Sequence, residues 1–324
     1  MRALLRMTTL FCITLITVLA GVSQAATYPD KPVHIIVPYA PGGVPDLVAR
    51  VLGQKLAASM GQQFVIENRP GGGGISAAQA VAHAAPDGYQ LLLSDIEQLA
   101  INPYLFKTLP YDPRTDFEPI SQVGTVPLYI VAQPSLGINS LADLQRVAKA
   151  QPGKLTYGSS GIGSIHHITM ESITHALGIQ LVHVPYKGSG QSTPAFIAGD
   201  VSLLISAMPS LQPYMKTGKI KLIAVTTAKR SPATPDVPTV SETIPGFDFS
   251  SEMGLVAPAH TPPAIVDQLA AQIAKALQDP GVQKQFATLG VVSIGGTPAG
   301  YAQNIQGNLK RFSTAVKLSG AQVN

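Results

Sequence analysis

Charge is what this chain has least of. Asp, Glu, Lys and Arg together make up 12 % of it, about half the share in an ordinary globular protein, so a charge-rich disordered chain is excluded. The formal net charge of +4 is small for 324 residues, and the Lys and Arg residues are scattered. Without a basic block, nucleic acid and anionic lipid are both poor partners. Tryptophan is absent, and cysteine occurs once, at Cys12. Downstream of that position no thiol is available for a disulfide, a thiolate nucleophile or a Cys-based zinc site. No window beyond the first 22 residues is long and apolar enough to span a bilayer. What remains is a chain with 45 % apolar residues, enough for a packed core, and a length that suggests about two domains.

Arg2 and Arg6 precede an uncharged, mostly apolar run from Met7 to Val22, and Ser23-Gln24-Ala25 follows with small residues where a signal peptidase reads. Cleavage is expected after Ala25, giving an exported, soluble chain. An N-terminal membrane anchor is the alternative, but the run is near the lower limit of ~17 residues for a spanning helix. Cys12 lies inside the run and lacks the small-residue context of a lipidated cysteine. Function must then be argued from loops.

Strands and helices alternate. Val33 to Val37 is a β-branched run stopped by Pro38, followed by the loop Tyr39-Ala40-Pro41-Gly42-Gly43 and a helix from about Pro45, with Leu47, Val48, Val51, Leu52 and Leu56 at helical spacing and Gly61 as its stop. Phe64 to Glu67 is a strand, Gly71 to Gly74 a flexible loop, Ser76 to Ala85 a helix and Tyr89 to Leu93 a strand. The pattern recurs: strand Leu155 to Tyr157, loop Gly158 to Gly163, helix Ser164 to Leu177, strand Leu181 to Pro185, helix Ser192 to Ala198, then strands Val201 to Ile205 and Ile220 to Val225. Met253 to Ala257 is the last expected strand, before helices over Ile265 to Leu277, Val282 to Leu289 and Pro298 to Leu318. This order predicts an α/β protein with mostly parallel sheets flanked by helices. Two such units suggest two lobes. The chain crosses once through Ser121 to Ala132 and returns through Ser250 to Ala257, and the C-terminal helices are expected on the first lobe.

Two loops carry candidate chemistry. Pro41-Gly42-Gly43 precedes a helix, whose N-terminus offers unpaired N–H groups and partial positive charge, and glycines admit a ligand close to the backbone. The loop suits a carboxylate or phosphate; a plain strand-to-helix turn is the alternative. Gly158-Ser159-Ser160-Gly161-Ile162-Gly163-Ser164 repeats the arrangement and adds three hydroxyls. Both loops fall at the carboxyl ends of strands, where open α/β sheets hold ligands. Asp46 in the first helical turn is read first as a complement to the helix dipole. Asp95 after a strand end faces either the cleft or solvent. His167, Glu171 and His175 share a helix face; a polar, partly solvated face is preferred to a metal site, with Ile165, Ile168, Ser172 and Ala176 marking the buried side. Gly71 to Gly74 lack the Gly-Lys-Ser/Thr of a nucleotide-binding loop, and neither Gly-x-Gly-x-x-Gly nor Gly-x-Ser-x-Gly is present.

The motifs taken together resemble a family. Pro38 to Gly43 with Asp46 and Ala49-Arg50, Val65 to Gly71, Ala85 to Tyr89, Ile101-Asn102-Pro103, Leu109 to Asp112, Val184 to Gly188, Pro235 to Thr239 and Gly254 to Pro258 are similar to the Bug-type proteins, the substrate-binding components of tripartite tricarboxylate transporters. The resemblance runs over essentially the whole mature chain. It implies a two-lobed periplasmic-binding-protein fold of type II kind, with the ligand cleft between lobes. Lobe 1 is expected over residues 26–125 and 250–324, and lobe 2 over 126–249. It implies a periplasmic receptor for a small carboxylate, either a di- or tricarboxylate or an aromatic acid. The carboxylate would be met by Pro41, Gly42 and Gly43 with Tyr39 and Asp46 beside them, and by Gly161, Gly163, Ser164 and His167 opposite. Tyr186 lies near the opening, and Asp95 is included as a cleft-facing acid. The expected partners are integral membrane transporter subunits, with no nucleic acid, no cofactor, no metal and a monomeric chain.

Two departures stand out. Ser206 replaces an Asp that many members carry, and Glu252 replaces a Trp in the second crossing segment. Loss of the acid at Ser206 is expected to disfavour ligands with an ammonium group, leaving amine-free acids, including those with two carboxylates. No residue set supplies a nucleophile with an oriented base, so a binding protein is preferred to an enzyme. A receptor for a membrane sensor kinase and a hydrolase of a small acid remain as alternatives.

Overall fold

A computed structural model of the chain describes residues 28–323; the expected export segment and Cys12 lie outside them. β1 (Val33–Val37) is buried through nearly its whole length, as its β-branched sequence demands. α1 (Val44–Met60) starts with Pro45 in its first turn and ends on Gly61 in the left-handed conformation. It connects β1 to β2 (Phe64–Asn68), and α2 (Ile75–Ala82) leads on to β3 (Gln90–Asp95). β1 lies between β2 and β3, and all three are parallel. A π-turn over Glu97–Ile101 and a short helix over Asn102–Leu105 follow.

β4 (Phe117–Ala132) is the longest strand. After α3 (Leu141–Ala150) the parallel pattern returns in β5 (Thr156–Ser159), α4 (Ile165–Leu177), β6 (Val182–Pro185), α5 (Ser189–Ala198) and β7 (Leu203–Ala207). β8 (Lys221–Val225) and β9 (Ser250–Pro258) complete the middle of the sheet. α6 (Pro263–Gln278), α7 (Pro280–Thr288), β10 (Val292–Ser293) and α8 (Pro298–Ser319) end the chain.

The strand order is β2-β1-β3-β9-β4-β7-β5-β6, with β8 and β10 also pairing β4. β4 is the pivot. From Phe117 to Pro127 it runs antiparallel to β9; from Leu128 to Ala132 it runs antiparallel to β7 and β8. The switch falls at Pro127, which has no N–H to continue a ladder. The expected parallel cores are both present, but the sheet as a whole is mixed. A strand that crosses between halves and another that returns beside it must run antiparallel.

Three further differences from the sequence reading have physical causes. α3 was not anticipated, although Ser140 caps it by accepting the Asp143 N–H and Leu141, Leu144 and Ala148 face inward. β10 adds a two-residue strand after β9, the last one expected. α8 does not keep to the first half: Tyr301, Ile305 and Leu309 pack with Ile36, Val81 and Leu92, whereas Phe312, Ala315 and Val316 join the core around Ile165 and Ile168 of α4. A helix of 22 residues is about 33 Å long, enough to reach across both halves. Among the described residues no helix is long and apolar enough to cross a membrane.

Candidate functional site

The loop after β1 is held from behind by Asp46, which is buried. Its Oδ2 accepts the Gly42 N–H at 2.9 Å and Arg50 Nε at 3.0 Å. Its Oδ1 accepts Asn68 Nδ2 at 3.0 Å and the Arg50 guanidinium at 2.9 Å. Asn68 Nδ2 also donates to the Tyr39 carbonyl at 3.0 Å. Burial alone would raise the pKa of Asp46, but the bonds from Arg50, Gly42 and Asn68 outweigh it and hold the carboxyl below its usual range. Asp46 therefore shapes the loop with all its acceptor capacity in use. In front of it, Pro41 and Gly42 are exposed. The N–H groups of Val44 and Asp46, in the first turn of α1, find no acceptor among the described residues. Gly43 caps the helix with an ordinary extended backbone, φ −72°.

The Tyr39 side chain turns from this loop toward the end of β3. Its hydroxyl donates to Asp95 and lies 3.5 Å from Glu97 Oε2. Asp95 is buried, so the solvent-facing alternative fails; its Oδ1 accepts the Glu97 N–H at 2.7 Å, and Gln98 Oε1 accepts the Asp95 N–H at 2.9 Å. Glu97 then reaches across: its Oε1 accepts the N–H of Ile165, the first residue of α4, at 3.2 Å. Burial pushes the Asp95 carboxyl up to about 6. Burial, with the Asp95 charge added, pushes Glu97 up to about 8. Tyr39 is raised well above its usual value by burial and both acids, so it keeps its proton. The π-turn that presents Glu97 is braced by Tyr111, whose hydroxyl donates to the Gln98 carbonyl at 2.8 Å, and by Gln98 and Asn102, which donate to the Gly73 carbonyl at 3.1 and 2.9 Å. Sequence reasoning missed Glu97. The available signal was its place between the apolar runs Leu91 to Leu93 and Leu99 to Ile101, where a carboxylate needs a partner.

The second loop is closed on itself. The Gly161 N–H goes to Ser159 Oγ at 3.1 Å, Gly163 N–H to His167 Nδ1 at 3.1 Å, and His167 N–H to Ser164 Oγ at 3.3 Å. Ser164 Oγ in turn donates to the Gly161 carbonyl at 2.7 Å. Gly163 has φ +78°, and a Cβ there would stand 2.3 Å from Leu105 Cδ2. Only glycine lets this loop lie against the short helix of the first half. His167 is buried, its ring stacked 4.0 Å from His183, which stacks 4.8 Å from Tyr157. His183 Nε2 pairs with Ser159 Oγ at 2.6 Å. Burial pushes His166, His167 and His183 down to about 4, so all three are neutral at pH 7.

The face of His167, Glu171 and His175 is polar and only partly solvated. His167 is buried, Glu171 accepts the Tyr157 hydroxyl, and only His175 is exposed. The side of α4 expected to be buried is revised: Ile165 and Ile168 are inside, together with Thr169, Ile173 and Leu177, but Ala176 is exposed and Ser172 only half-buried. No cluster of three metal-capable side chains occurs among the described residues.

Tyr186 is half-buried beside the second loop, its N–H donating to the Ser159 carbonyl at 3.2 Å. Ser206 is buried on β7 opposite Tyr129, and its hydroxyl has no protein partner. Among the described residues the other buried side-chain polar atoms in that condition are His166 Nε2, Thr169 Oγ1, Ser192 Oγ and Thr193 Oγ1. An unsatisfied buried polar group costs ~1–3 kcal/mol. Glu252 turns toward α8, accepting Asn308 Nδ2 at 2.9 Å and Gln122 Nε2 at 3.3 Å. With Asp95 and Tyr301 it lines a cavity of about 10 Å³, room for about one water. The structure thus brings Tyr39, Asp95 and the start of α4 together through Glu97, and sets Asp46 behind the first loop. It seals Gly161, Gly163, Ser164 and His167 among themselves.

Two α/β halves joined by crossing strands, with two helix N-termini and a charged seam between them, define a two-lobed solute-binding protein. Comparison with known proteins makes this specific. Residues 48–320 match the tripartite tricarboxylate transporter family receptor, and the chain belongs to that family. It is similar to protein BugT of Bordetella pertussis, with 36 % identity over 307 residues, 94 % of this chain and 94 % of that one. Among solved structures it is similar to an R. palustris protein with adipate, at 34 % identity and a TM-score of 0.81, covering 91 % of this chain and 100 % of the other. It is likewise similar to MatC of Rhodopseudomonas palustris with bound malate, at 31 % identity and a TM-score of 0.77, covering 89 % and 100 %. The family is one of periplasmic solute receptors, not enzymes.

Proposed function

We propose that this chain captures a small carboxylate between its lobes and delivers it to the membrane subunits of a tripartite tricarboxylate-type transporter. The observation that carries this is the first turn of α1. Its Val44 and Asp46 N–H groups have no acceptor among the described residues, on a loop whose shape Asp46 fixes. A helix N-terminus with free donors and Gly43 beside it is a carboxylate site. Charge-assisted bonds are worth ~1.5–3 kcal/mol each, so a few reach the about −8 kcal/mol of micromolar binding after association costs. The malate and adipate of the two solved relatives agree with a carboxylate ligand.

In this reading the carboxylate lies against Pro41, Gly42 and Gly43 and is held by the Val44 and Asp46 N–H groups, Tyr39 and Asp95 form the floor, and Tyr186 and Ser206 face the remainder of the ligand. Lobe 1 comprises 26–125 and 250–324 and lobe 2 comprises 126–249, a division supported by the change of β4 partners at Pro127, with the end of α8 packing onto lobe 2. The mature chain begins after Ala25, works in the periplasm and is monomeric. Lobe closure on the ligand presents a new surface to the transporter, driven by the ligand's higher affinity for the closed form. Calorimetry against organic acids tests the reading: micromolar binding of an unmodified acid supports it, and turnover of any bound acid contradicts it.

A further inference from the structure

The two helix N-termini that face the seam are not equivalent. At α1 the Val44 and Asp46 donors are free. At α4 most are taken: Gly163 N–H by His167, His167 N–H by Ser164, and Ile165 N–H by Glu97, which leaves the His166 N–H without an acceptor among the described residues. The last of these acceptors, Glu97, is a carboxylate from the other half of the molecule, lying where a ligand's second carboxylate would seek the helix dipole. Asp95 is one residue pair away and bonded to the same segment, so the pair keeps negative charge whichever oxygen carries a proton. A second ligand carboxylate at this end would have to displace Glu97 and then sit beside Asp95.

We propose that Glu97 is a specificity-determining residue that fills the second-lobe anion site from within the chain and selects acids bearing one carboxylate over dicarboxylates. The inference rests on the carboxylate-receptor reading and narrows it. It also revises the expectation, drawn from Ser206, that acids with two carboxylates are admitted. The ligand enters with its carboxylate at the α1 loop and an uncharged end toward Glu97. A second ligand carboxylate would meet no cation there, since no Lys or Arg bonds to Asp95 or Glu97 among the described residues.

The test is calorimetry of the mature protein with succinate, glutarate and adipate, each against its own half-amide, which keeps the length and removes one charge. The wild type is expected to bind the best half-amide at least about tenfold tighter than the matching dicarboxylate, the effect of one uncompensated like-charge contact. Glu97→Ala frees the Ile165 N–H and is expected to narrow that gap, whereas Glu97→Gln still covers that N–H beside Asp95 and is expected to keep most of it. A wild type that prefers the dicarboxylate overturns the inference and leaves the carboxylate receptor standing. A gap that persists unchanged in folded Glu97→Ala removes Glu97 from selection. If neither member of any pair binds, the carboxylate reading falls and the inference with it. The wild-type comparison decides the preference without any variant.

Discussion

Replacing Gly43 by valine separates binding from folding. The backbone there, φ −72° and ψ 162°, is open to any residue, including a β-branched one. A Cβ would meet Ala40 O at 3.5 Å and Pro45 Cδ at 3.8 Å, ordinary contacts. The folding cost is that of a poorer helix cap, about 0.5–1 kcal/mol, which for a chain of this size lowers Tm by about 1–3 °C. Binding is another matter. The valine methyl groups stand in front of the Val44 and Asp46 donors and keep a carboxylate out of reach. Losing one or two charge-assisted bonds at ~1.5–3 kcal/mol each raises Kd by roughly ten- to several-hundredfold or more. Titration calorimetry and thermal melting on the same preparation read both numbers. An unchanged Kd in a variant that melts within a few degrees of wild type would remove this loop from the site.

Asp46→Ala unpicks the brace behind the loop, leaving Arg50 and Asn68 without their acceptor. A loss of about 2–4 kcal/mol in stability is expected from denaturant melts, as for a buried polar network that loses one member. Gly163→Ala meets both its positive φ and Leu105. It is expected to cost about 2–4 kcal/mol, with part regained in the Gly163→Ala, Leu105→Ala double variant; strict additivity would contradict that contact. Stability should also peak in mildly acidic solution. Glu97, raised by burial from 4.5 to about 8, adds stability below pH 4.5 that is lost as pH climbs through 8. His166, His167 and His183, lowered by desolvation from 6.5 to about 4, add stability above pH 6.5 that is lost as pH falls through 4. Glu97→Gln should flatten the alkaline limb of Tm against pH and leave the acid limb; a parallel shift of the whole curve contradicts the assignment.

The elements that sequence revealed were those whose pattern is local. The β-branched run of β1, the Pro45 start and Gly61 stop of α1, and the uncharged stretch that became β4 all announce themselves through periodicity and punctuation. The first loop was legible for the same reason, since Gly-Gly before a helix needs no tertiary information. The second loop shows the limit. Its glycines suggest an anion cradle, but its donors are used by His167, Ser159, Ser164 and Glu97, one of which comes from the other half of the sheet. The face of His167, Glu171 and His175 reads from sequence only as polar and partly solvated; the stack on His183 that buries the His167 ring depends on β6 lying beside β5. Glu252 drew notice as a departure, yet only the placement of α8 reveals that Asn308 holds it. Periodicity assigns faces, and long-range packing decides what each face meets.

The most direct test of the central claim is mass spectrometry of the small molecules released from freshly purified mature protein, followed by rebinding of whatever is found. A stoichiometric, unmodified organic acid that rebinds at micromolar concentration, and binds worse to Gly43→Val, is the result expected of this receptor. A chemically altered product, or a protein that takes up no carboxylate at all, would contradict it.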